Sequence, residues 1–93
     1  MSLYMELSER FIQQLEKEGF SQVYEWQDAA GTQYPEQTHN EPVSYMVTDG
    51  SLTFQLPDTQ REVQAGDRFD VPPNVPYSIL VGSQGWIGII GES

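Results

Sequence analysis

The chain has one histidine, His39, and no cysteine. An imidazole titrates near neutrality and can serve as a general base, a polar anchor or a metal ligand. Gln37 stands two residues before it. An alternating run follows and reaches Asp49-Gly50, and a histidine placed just ahead of such a hairpin is a natural metal candidate. One histidine alone is too few, because a tight metal site wants three or four good ligands. The missing cysteines exclude thiolate zinc sites, cysteine nucleophiles and disulfides. Asp67 and Asp70 invite a reading as paired carboxylates. However, Asp67 falls in a turn, and Asp70 alternates away from the face shared by Phe69 and Val71, so no joint acid–base site is expected.

The elements that must position these groups are legible. Leu3, Leu7, Phe11 and Leu15 recur every fourth residue, with Ile12 beside them, which predicts an amphipathic helix. Glu6 and Arg10 form an i,i+4 pair on its polar side, and Gly19 stops it. After Phe20 the period becomes two. "QVYEW" alternates, and "DAAGTQYPEQ" reads as a loop. Val43, Tyr45 and Val47 alternate into an expected Asp49-Gly50 hairpin turn that returns through Leu52, Phe54 and Leu56. Val63 and Ala65, then Phe69 and Val71, continue in short strands. "PPNVP" cannot sit in a central strand. "YSILVG" and "WIGIIG" read as two apolar strands separated by "SQG". The expectation is one all-β domain of sandwich or barrel type, with a helix over residues 1–19 and a barrel over 20–93.

Two segments carry a resemblance to a known family. "GDRFDVPPNVPYSILVG", residues 66–82, resembles the second conserved motif of the cupins: Gly-Asp, a short apolar strand, a proline-led turn, then a ligand position. "PEQTHNEPVSYMVTDGSLTF" resembles the first, in which a His-x-His pair precedes a glutamate and a strand ending at glycine. The likeness spans roughly residues 20–91 and implies a small antiparallel, jelly-roll-like cupin barrel behind a short N-terminal helix. It places the four family ligand positions at Gln37, His39, Val43 and Tyr77. Of these only His39 is a family ligand, Val43 cannot ligate, and Gln37 and Tyr77 offer an amide oxygen and a phenol. Glu41 lies close enough in sequence to substitute. If a divalent metal such as Mn, Fe, Ni or Zn were bound, the resemblance implies His39 with Gln37, Glu41 or Tyr77 as its ligands.

The site expected from this likeness is a set of polar groups, Gln37, His39 and Tyr77, with Tyr45 on the wall, binding a small polar molecule in the barrel. No cofactor and no catalytic residue is assigned. A metal-dependent enzyme of dioxygenase, isomerase or decarboxylase type is the alternative. A homodimeric interaction protein with a filled barrel is a third reading. Tyr24 and Trp26 share one face of the first strand, where small cupins often pair across a dimer, so a homodimer is expected. Fourteen acidic residues against four basic ones give a net charge of −10, which disfavours nucleic acid and anionic membranes as partners. With no long apolar run and no secretion-signal pattern, a cytoplasmic protein is expected.

Overall fold

The structure, a computed structural model, describes residues 3–93, with side chains from residue 7 onward. The helix α1 spans Leu3–Lys17. Phe11, Ile12 and Leu15 supply its buried stripe, whereas Leu3 and the Glu6–Arg10 pairing involve side chains outside those described. It ends as its sequence demands. The Phe20 N–H donates to the Leu15 carbonyl at 3.2 Å and the Gly19 N–H to the Glu16 carbonyl at 3.1 Å. Gly19 turns the chain at φ 99°, a left-handed conformation that costs little without a Cβ.

Six strands follow: β1 (Gln22–Asp28), β2 (Gln33–Gln37), β3 (Val43–Gln55), β4 (Gln60–Gln64), β5 (Arg68–Val71) and β6 (Tyr77–Glu92). All pair antiparallel. The sheet runs β1-β6-β3-β4, with β2 also on β6 and β5 also on β3. The long strands β3 and β6 pair with each other from Val43↔Glu92 to Gln55↔Ser78 and form the frame on which the short strands hang.

Three expectations are corrected here, the first being that "DAAGTQYPEQ" is a loop throughout: its last five residues form β2, which pairs with β6. Asp49-Gly50 is not a hairpin turn, and "SQG" at residues 83–85 does not separate two strands. Both lie inside continuous strands that bend, with register shifts between Val47 and Asp49 and between Gly50 and Leu52. A hairpin and a bulged bend both present alternating apolar residues on either side of a glycine, so the pattern alone does not separate them. Sterics require glycine at this corner. Gly50 has φ 76°, and a Cβ there would overlap the carbonyl oxygen of Gly85.

Alternation divides the apolar residues between two cores. Tyr45, Val47, Leu52, Phe54, Tyr77 and Val81 are among those that fill the barrel. Met46 and Ile89 point to the opposite face and are covered by Leu15, Phe11 and Ile12 of α1, with Phe20 and Val23. A short helix that is marginal alone is held by this packing. A charged clamp joins the same layers: Arg68 on β5 donates to both carboxylate oxygens of Glu18 at 2.6 and 2.7 Å, and to Asp70 at 2.9 Å.

Candidate functional site

Beside the packed core the barrel keeps a cavity of about 210 Å³. Its longest wall comes from β1. Period-two alternation puts Tyr24, Trp26 and Asp28 on one face, opposite Ile90, Gly88 and Trp86 of β6. Gly88 leaves room for the Trp86 ring, which packs where a Cβ at this position would stand. Tyr45 and Leu52 enter from β3, Ile79 and Glu92 from β6, and Tyr34 and Gln37 from β2.

Gln37 reaches the cavity through an irregularity. Simple alternation would send Tyr34 and Gln37 to opposite faces, but the ladder shifts register between them, so both point inward. A bulge re-aims a side chain in this way. His39 follows and is half-buried at the rim. Its carbonyl accepts the Asn74 N–H at 2.7 Å, so the "PPNVP" turn holds it in place. Asn74 has φ 64°, which asparagine tolerates better than most residues.

Of the expected site residues, Gln37, His39 and Tyr45 are brought together on the cavity surface. Tyr77 stands behind them. It is 1% exposed, and its hydroxyl lies 2.8 Å from that of Tyr45. The His39 and Tyr77 rings are 5.9 Å apart. Burial raises the hydroxyl pKa of both Tyr45 and Tyr77 above the ordinary phenol value. Each therefore remains a neutral hydrogen-bonding group at physiological pH. Glu41 is exposed and lines a separate shallow depression beside His39 and Glu92. Asp67 accepts the Gln64 N–H at 3.1 Å within its turn, and Asp70 pairs with Arg68 outside the barrel.

Most of the cavity's polar chemistry comes from residues the sequence reading did not select. The Asp28 carboxylate accepts one hydrogen bond from the Tyr34 hydroxyl at 2.6 Å and another from the Trp86 indole N–H at 2.9 Å. The Tyr24 hydroxyl donates to Glu92 at 2.5 Å. Burial, then the hydrogen bond to its carboxylate, raises the pKa of both Tyr24 and Tyr34. The available signal was the alternation Tyr24-x-Trp26-x-Asp28, which groups these three side chains on one face. Which way that face turned was not legible.

A metal of the kind the fold family often holds does not fit this donor set. Val43 lies in the apolar core, the Tyr77 phenol is kept protonated, and Glu41 is exposed and does not line the cavity. Among the described residues no group of three or more His, Asp or Glu is placed to hold an ion.

Solved structures with this architecture are numerous. A cupin-like protein from Thermotoga maritima matches with a TM-score of 0.69 and 25% identity, over 83% of this chain and 61% of its own. An RmlC-like cupin from Shewanella frigidimarina matches with a TM-score of 0.65 and 22% identity, over 73% of this chain and 60% of its own. The DMSP lyase DddQ from Ruegeria pomeroyi matches with a TM-score of 0.66 and 20% identity, over 73% of this chain and 35% of its own. This chain thus spans about 60% of the length of the first two neighbours and about a third of the last. The sequence matches no protein-family model and no curated protein. The fold is an antiparallel β-barrel of the cupin type with one N-terminal helix, and it is this fold that the chain shares with these neighbours.

Proposed function

We propose that this chain is a cupin domain that binds a small polar molecule in its barrel, without a tightly held transition metal. The observation that carries this reading is the open cavity itself, lined by Gln37, His39 and Tyr45 within a mostly aromatic and aliphatic surface. A few placed polar groups in an apolar concavity are what orients a small ligand. An interaction protein that used the barrel only as a scaffold would have no need to leave this space unfilled. Fold likeness does not decide the matter, because one fold hosts many chemistries.

Two measurements on tag-free protein test the reading. The first is metal content by elemental mass spectrometry after exposure to Mn, Fe, Ni and Zn, expected well below one ion per chain. The second is a screen of small polar compounds by NMR, expected to yield saturable shifts around Gln37, His39 and Tyr45. About one metal per chain, lost in His39→Ala, would replace this reading with that of a metal-dependent enzyme.

A further inference from the structure

Resting on the reading of the barrel as a ligand site, we propose that the ligand is a small organic cation, an ammonium or quaternary ammonium group with at most a short polar tail. Tyr24, Trp26, Tyr34, Tyr45 and Trp86 give this one cavity five aromatic side chains, and Asp28 and Glu92 add two carboxylates. Aromatic faces carry negative potential and attract a cation within about 6 Å. Carboxylates at the rim of such a box add charge attraction.

The arrangement leaves that negative charge available. Asp28 is held by a phenol and an indole, and Glu92 by a phenol. These donors are neutral, so they orient the carboxylates without cancelling them. None of the four basic residues lines the cavity. Arg68 is engaged by Glu18 and Asp70, and Arg61 lies over the Phe69 ring at 5.7 Å. Arg10 and Lys17 belong to the helix outside the barrel.

Other ligand classes fit less well. An anion would meet two carboxylates with only His39 as a possible counter-charge. An apolar ligand would leave both carboxylates facing hydrocarbon, which is unfavourable, and a neutral polar one could hydrogen-bond to them but would gain nothing from their charge. A compact divalent ion would need its ligands together, whereas Asp28 lies opposite Trp86 and Glu92 opposite Gln22, six residues apart along β1. A span of aromatic wall between two anchored carboxylates suits an organic cation with hydrocarbon around its charge.

The chain has two tryptophans, and both line this cavity. Their two indole N–H signals in a ¹⁵N NMR spectrum are therefore direct reporters of occupancy. The probes are choline, its neutral carbon isostere 3,3-dimethylbutan-1-ol, and acetate. Choline is expected to move both indole signals saturably and to bind at least about tenfold more tightly than the isostere. Glu92→Gln and Trp26→Leu should each weaken choline by about tenfold, while Glu62→Gln, on exposed β4, should not. The Glu62 variant removes one negative charge elsewhere, so it separates a built site from general attraction to an acidic protein. If Glu92→Gln does not fold, the choline–isostere comparison and Trp26→Leu, at a half-exposed position, still decide.

Equal binding of the isostere, or choline binding indifferent to both cavity variants, would overturn the proposal. If acetate or other neutral or anionic compounds saturate the indole shifts and choline does not, the cation inference falls and the binding reading stands. If no compound of any charge does so, both fall.

Discussion

The Tyr45–Tyr77 hydroxyl pair makes an asymmetric prediction. Tyr77 is fully buried, whereas Tyr45 reaches the cavity surface and can find another partner there. Tyr45→Phe should therefore strand a buried hydroxyl and cost about 1–3 kcal/mol, while Tyr77→Phe should cost about 1 kcal/mol. The double variant should be less destabilised than the sum of the two, because no orphaned group remains. Urea unfolding of the three proteins checks this. Strict additivity would mean that the two hydroxyls do not share a bond. The same pair explains why Tyr77 makes a poor metal ligand: burial keeps its proton on, and its oxygen is turned toward Tyr45.

At the scale of elements, the bent strands β3 and β6 form the frame of the barrel. Where they approach at Gly50 there is no room for a side chain, since a Cβ would overlap the Gly85 carbonyl oxygen. Gly50→Ala must change both a positive φ and a backbone contact, and should cost at least about 3 kcal/mol. Gly66→Ala is the control. It also has positive φ, at 92°, but nothing lies within 4 Å of the added carbon, so only the conformational cost of about 1–2 kcal/mol applies. Thermal or urea unfolding should separate the two. Similar losses would place the whole effect in the dihedral angle and remove the argument for close strand approach. The bulge before Gln37 works at this scale too, since a one-residue shift of register decides whether a side chain faces ligand or solvent.

For the molecule as a whole, the Glu18–Arg68 clamp ties the end of the helix to the barrel. The hydrogen bonds from Arg68, with a further one from Gln14, lower the Glu18 pKa from 4.5 to about 2. A carboxylate lowered on folding adds stability above its unfolded pKa and loses it as the pH falls through the folded one. The advantage of the native protein over Glu18→Gln should thus be full above about pH 5 and shrink between 4.5 and 2. Both side chains are about 30% exposed, so solvent screening holds the pair to about 1 kcal/mol or less, and salt should reduce it further. Chemical denaturation at pH 6 and pH 3 measures the difference. A gap that stays constant across that range would place its source elsewhere.

What the sequence by itself determined was the class of elements, and the type of barrel was implied only by the resemblance of its two motif segments. Period four through Leu15, period two after Phe20, glycine at the helix stop, and the Gly-Asp-to-proline segment each follow from local sterics and hydrophobic alternation. Asp70 pointing out of the barrel was legible for the same reason. The tertiary structure decided what alternation leaves ambiguous. Gly50 and Gly85 became bends rather than turns, because only the pairing of β3 with β6 fixes where each strand continues. Tyr24, Trp26 and Asp28 became a cavity wall because β1 docks on β6 with that face inward. Their hydrogen-bonded partners Glu92, Tyr34 and Trp86 lie as far as 68 residues away in the chain. A site assembled from such distant strands has no contiguous signature, since its geometry exists only once the barrel has closed.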